Sequence, residues 1–230
     1  MKRSIKVIGL VFVAVLAFSA VSVTSASAVE LIKFSKTGNF EGGSSGTTHL
    51  ETSNGEQVEC KKATTKGKIT SEIKGETLLE FQECKTTVFI FEGECTSAGS
   101  TKGKIHIPDL LILLGSDESP AMNPAVLLKP ESPVVFTCEV AGQKATLTVK
   151  GSVICLVKNA ANKTEIELKC EKGANAGEQK DKKFWDAGET NQEDTLRTSS
   201  TGAKEFTELE SNQVGEGLLK GVGTTIQIEI

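Results

Sequence analysis

The chain has 230 residues, with 26 Lys and Arg against 30 Asp and Glu, two His, and a formal net charge of −4. An acidic balance with lysines scattered singly opposes binding to nucleic acid or anionic lipid, because phosphate recognition relies on clustered Lys and Arg. Two histidines and no Cys-x-x-Cys leave a zinc site almost nothing to use, and neither a metal nor a cofactor is expected.

The first 28 residues read as a signal peptide. Lys2, Arg3 and Lys6 form a positive start, Val7 to Ala20 is an apolar run, and Ala26-Ser27-Ala28 supplies the small residues that a signal peptidase reads. Cleavage between Ala28 and Val29 leaves 202 residues and removes three basic groups, so Lys plus Arg falls from 26 to 23 and the net charge moves from −4 to −7. An uncleaved anchor is the alternative. No cysteine precedes Cys60, so lipid attachment at the cleavage site is excluded. The body is expected to be secreted or held at the cell surface, with no membrane segment after cleavage.

Residues 29–47 read as a Gly/Ser-rich lead-in. "GGSSG" at 42–46 matches Gly-x-Ser-x-Gly with Ser44 in the nucleophile position. That elbow needs a strand before it and a helix after it, with an acid and a histidine later. A strand pattern, "TTHLET", follows instead, so a turn is expected and Ser44 is not assigned to catalysis.

From residue 48 to 230 the pattern is that of one β domain. Strands are predicted at 48–52, 57–63, 68–73, 77–82, 87–92, 104–107, 110–114, 126–129 and 134–139, and again at the terminal "TTIQIEI". The clearest run is "ATLTVKGSVICLV" at 145–157. Ala145, Leu147, Val149, Val153, Cys155 and Val157 share one face, and Gly151 marks a bulge or bend. Ile154 and Leu156 make the second face apolar at the far end, which predicts cover on both sides there. "TEIELKC" follows, and folding it back around Asn162-Lys163 sets Val157 against Leu168 and Cys155 against Cys170. Many short strands with Gly-rich turns predict an antiparallel β-sandwich or barrel. His49 and His106 fall on solvent-side strand positions.

Two stretches repeat: "ECKKATTKGKIT" at 59–70 and "ECTSAGSTKGKIH" at 94–106. Each copy is expected to leave a strand through its cysteine, cross a small polar turn and begin a new strand at Lys-Ile. The six cysteines, at 60, 84, 95, 138, 155 and 170, form an even set in an exported chain and read as three disulfides. Register pairs Cys155 with Cys170. The short eleven-residue step suggests Cys84–Cys95, which leaves Cys60 for Cys138. Residues 171–212 carry sixteen charges and few apolar side chains, so a polar insertion is expected there, either long surface loops with edge strands or a partly disordered segment.

"CTSAG" (95–99), "LLKP" (127–130) and "GSVI" (151–154), with "KN" at 158–159, resemble a group of uncharacterised exported bacterial proteins, over about residues 58–170. The resemblance implies export and a β fold and carries no substrate. Cys155 and Cys170 are additions to that group's pattern.

Two functions remain open. One is a non-catalytic secreted or surface β domain, acting on an unknown extracellular ligand or as an envelope component. The other is an extracellular hydrolase using loop carboxylates from Glu118, Asp186, Glu189, Glu193 and Asp194, or near Asp117. The first is preferred, because no nucleophile–base set, metal set or cofactor motif is written in the chain.

Overall fold

The computed structural model describes residues 32–88, 91–117, 123–158, 165–186, 191–193, 195–203, 205–223, 225 and 227–229. The expected signal peptide and its Ala28–Val29 junction, the Asn162-Lys163 turn, Glu118, Glu189 and Asp194 lie outside these residues.

The strands follow the chain as β1 (Lys33–Phe34), β2 (Gly38–Ser44), β3 (Thr48–Thr52), β4 (Gln57–Ile69), β5 (Lys74–Val88), β6 (Phe91–Ser97), β7 (Ile105–Asp117), β8 (Pro124–Pro130) and β9 (Val134–Val140). Next come β10 (Gln143–Lys150), β11 (Val153–Val157), β12 (Glu165–Cys170), β13 (Lys183–Asp186), β14 (Asn191–Glu193), β15 (Leu196–Gly202), β16 (Phe206–Gly221) and β17 (Ile228–Glu229). Several consecutive strands are halves of one line. β2 and β3 both run antiparallel to β4 on one side and to β16 on the other, broken only at 45–47. In the same way β6 continues into β7, β8 and β9 form one line, and so do β10 and β11. β12 and β15 form another, with β13 and β14 on an excursion between them.

Counted as lines, the sheet has eight staves in chain order, each antiparallel to the next, and the eighth, β16, pairs back onto β2 and β3. The fold is therefore an eight-stranded up-and-down barrel. Among the described residues, closure of the ring gives every stave a neighbour on both sides and removes the open edge that otherwise invites aggregation. Of the two architectures expected from sequence, the barrel is the one formed.

Side-chain alternation sets the polarity of the wall. On β4, Val58, Cys60, Ala63, Thr65 and Ile69 are buried, while Glu59, Lys61, Lys62, Lys66 and Lys68 are exposed. The phase slips by one residue at Lys61-Lys62, and β5 slips with it at Glu83, whose φ is 52°. The outer face carries cross-stave ion pairs: Lys85–Glu92 at 2.8 Å, Lys104–Glu80 at 3.0 Å, Lys220–Glu165 at 3.3 Å and Lys61–Glu83 at 3.5 Å. Each contributes little in water, about 0–1 kcal/mol. Their main effect is to keep the outside wet and the apolar stripe inside.

One end of the barrel is filled by the ribbon of β1 and β17, which brings Ile32, Phe34 and Ile228 into the same core as Phe40, Ile69, Ile112 and Leu114. A second, smaller core lies on the outer face of β7, β8 and β11. There Phe184 of β13 is fully buried against Leu113, Leu127, Ile154 and Leu156. This is the two-sided cover predicted from Ile154 and Leu156.

Three sequence expectations need correction. Residues 38–44, read as lead-in, form β2, a stave of the barrel; Gly42 to Ser44 are strand, and the break comes at 45–47. Residues 196–202 and 206–212, read as part of a polar insertion, are barrel wall; the excursion proper spans 171–195. The first copy of the repeat runs unbroken through β4, whereas the second does turn at 98–104 before β7 starts at Ile105. Gly67 explains how the first copy stays extended. A Cβ there would sit 2.4 Å from the Glu76 carbonyl oxygen and 2.5 Å from Cζ of Phe40, so the missing side chain admits the Phe40 ring across the wall.

The disulfides are Cys60–Cys84, Cys95–Cys138 and Cys155–Cys170. The last was expected, and Val157 does face Leu168. The pairings Cys84–Cys95 and Cys60–Cys138 are wrong. Cys60 and Cys84 are directly opposed across β4 and β5, and Cys95 and Cys138 across β6 and β9, with Cα separations of 4.0 Å in both. Such opposed inward positions lie close enough for a bond to form without bending the chain.

Candidate functional site

Inward-facing side chains from all eight staves surround a cavity of about 190 Å³ in the barrel interior. Its wall is made mainly of Leu50, Val58, Ala63, Leu79, Phe81, Ile105, Leu110, Ile112, Leu128, Val134, Phe136, Val149, Val153, Leu168 and Leu196, and two disulfide cysteines, Cys60 and Cys170, also border it. An eight-stranded barrel is just wide enough either to be filled by its own side chains or to hold one small ligand. This one keeps space because small residues alternate with large ones around the ring: Gly43, Ala63, Thr65, Thr77, Gly215 and Gly217 all face or border the cavity.

Most polar groups on the lining bond to the wall itself. The Thr65 and Thr77 hydroxyls lie 2.6 Å apart, so one donates to the other and the second donates to a wall carbonyl, that of Leu78 at 3.0 Å from Thr65 or that of Lys66 at 2.9 Å from Thr77. The Thr48 hydroxyl donates to the Cys60 carbonyl at 3.4 Å. Ser44 Oγ accepts the Ala63 N–H at 2.8 Å. Glu216 borders the cavity, but the residue is exposed and its carboxylate is paired with Lys169 at 3.4 Å. An apolar wall and a few hydroxyls bonded into it can hold a molecule by burial and shape. They offer no activated nucleophile.

Sequence reasoning placed no catalytic, cofactor or metal residue, and it did not foresee this cavity. Ser44 reaches the interior without a histidine beside it in the wall. His49 lies on the outer face, its Nδ1 3.1 Å from Gln57 Nε2 and 3.8 Å from Glu59. Of the candidate carboxylates, Asp186 ends β13 and Glu193 ends β14. Asp117 is buried, and its two oxygens accept from the Asn123 backbone N–H at 2.8 Å and side-chain amide at 3.1 Å. Burial raises Asp181 above the ordinary carboxylate range, and the nearby charge of Asp117 adds to the rise. Glu171 is pulled the other way, to about 2, by the hydrogen bond from Lys180 and then that from Lys169. Neither Asp117 nor Asp181 borders the interior cavity. Among the described residues no group of three or more His, Cys, Asp or Glu could hold a metal ion.

A signal for the cavity does exist in the sequence. Thr65, Thr77, Gly215 and Gly217 are small residues at inward strand positions where a packed core would carry large ones. Reading it requires knowing that the sheet closes.

Fold and site together define a disulfide-stapled, up-and-down eight-stranded barrel with an apolar chamber inside and a charged wall outside. No protein-family model, curated protein or solved structure matches the chain.

Proposed function

We propose that the chain is an exported, water-soluble binding protein without catalytic activity, and that its ligand site is the barrel interior. The observation that carries this reading is the 190 Å³ apolar cavity bordered by all eight staves. Few natural cores leave space of that size, since interiors pack to crystal-like density and each void costs stability. The polarity of the wall supports a water-soluble body, because a membrane-spanning barrel is built in reverse, apolar outside and polar within. Three disulfides mark a chain folded in an oxidising compartment and support export. Against the hydrolase alternative, Asp117 is committed to Asn123, and Asp181, held toward its neutral form, borders no part of the chamber.

The test is to extract the natively exported protein into organic solvent and identify by mass spectrometry what it releases. A small organic molecule in near 1:1 ratio is expected, undiminished in Asp117→Asn and Asp181→Asn variants. Release of nothing, together with no thermal stabilisation by apolar compounds, would leave an envelope-structural role instead.

A further inference from the structure

We infer that the chamber selects a neutral, largely apolar molecule a little larger than benzene and rejects its carboxylate analogues. This rests on the interior being the ligand site and adds the chemical class.

Size comes first. An apolar cavity of about 150 Å³ takes benzene, so the present one, about a quarter larger, suits roughly six to nine non-hydrogen atoms. Long acyl chains exceed it. Charge comes next. Among the described residues no Lys or Arg borders the chamber, and the carboxylate at its margin, on Glu216, is already paired with Lys169. A buried carboxylate without a counter-ion or donors is strongly disfavoured. Few donors could relieve it: the Thr48, Thr65 and Thr77 protons are taken within the wall, which leaves the Ser44 hydroxyl and the Gln213 amide, both neutral. A cationic ligand fares no better, as no free carboxylate faces inward on the lining. What remains on offer is shape, dispersion and a few neutral polar groups, Ser44, Gln213 and the Thr65–Thr77 pair, suited at most to a weak hydrogen bond with the ligand.

Propylbenzene and benzoate are both monosubstituted benzenes of nine non-hydrogen atoms and differ in charge, so they separate charge from size. Nuclear magnetic resonance titration of the disulfide-intact protein at pH 7 is expected to show saturable binding of propylbenzene. Binding of benzoate should be at least 100-fold weaker. Ring protons of bound propylbenzene should give nuclear Overhauser contacts to the methyl groups of Leu79, Leu110 and Val134, a readout that needs no variant to fold. Ala63→Phe, which fills the chamber, should abolish binding. Equal affinity for the two probes would overturn the selection of a neutral ligand while leaving the interior as the site. Binding of neither probe, or binding without those contacts, would overturn the interior site itself.

Discussion

Ala141 shows how a single residue can sit at odds with its own backbone. It forms, with Gly142, the two-residue turn between β9 and β10, where Val140 pairs with Gln143. Both turn residues have positive φ, 49° and 80°, as a type I′ hairpin requires. Glycine takes that conformation freely, whereas alanine carries a cost of about 1–2 kcal/mol for it. Both positions are exposed, and nothing lies within 4 Å of where a Cβ on Gly142 would be. Replacing Ala141→Asn should therefore raise stability by about 0.5–1 kcal/mol, read as a higher urea midpoint with an unchanged slope. A lower midpoint would show that the turn has another geometry in solution.

At the scale of elements, the excursion between β12 and β15 is fastened to the barrel by one side chain above all. Phe184 is fully buried in the outer core, where it meets Leu113, Leu127, Ile154 and Leu156. Backbone pairing of β13 with the end of β7 adds only three residue pairs, Phe184 with Asp117 through Asp186 with Gly115. Truncating a buried phenylalanine costs about 3–5 kcal/mol, so Phe184→Ala should lower unfolding free energy by that order and speed amide exchange at 183–186 first. A loss below 1 kcal/mol would mean that the excursion does not seal this face. The same two-faced stretch was legible in the sequence, since Ile154 and Leu156 break the alternation that Thr146, Thr148 and Lys150 keep. The covering element was not. Phe184 and Trp185 stand in a run of lysines and acids, where two adjacent aromatic residues carry no period to read.

For the whole molecule, the three disulfides form a regular scheme, joining staves two and three, four and five, and six and seven. Cys60, Cys84, Cys95 and Cys138 stand on four successive staves. The β5–β6 register pairs Lys85 with Glu94, each one residue away from Cys84 and Cys95. The discarded pairing was thus between near neighbours in space, and no spacing rule could separate it from the true one. Peptide mapping without reduction should return Cys60–Cys84 and Cys95–Cys138. Loop-closure entropy grows with the closed length, and the separations are 43 residues for Cys95–Cys138 against 15 for Cys155–Cys170. Replacing each pair by alanine should cost about 2–4 kcal/mol, with the Cys95–Cys138 variant lower by about 1 kcal/mol. The reverse order in denaturant melts would put the stabilisation in local strain rather than in the unfolded chain.

What the sequence determined by itself is local. Alternation with a period of two specified strands along the chain, the Gly-rich turns specified reversals, and two agreeing patterns specified the Val157–Leu168 register with its Cys155–Cys170 bond. Each of these depends on residues close in the chain. The closure of β16 onto β2 and β3, the pairing of the other four cysteines and the chamber depend on residues up to 181 positions apart, as where Phe40 pairs with Gly221 at the seam. Inward side chains from eight separate staves enclose the chamber jointly, and a small residue reads as space only when the opposite wall is known. That opposite wall is supplied by the closed sheet, whose curvature comes from strand twist and stagger summed over the whole ring.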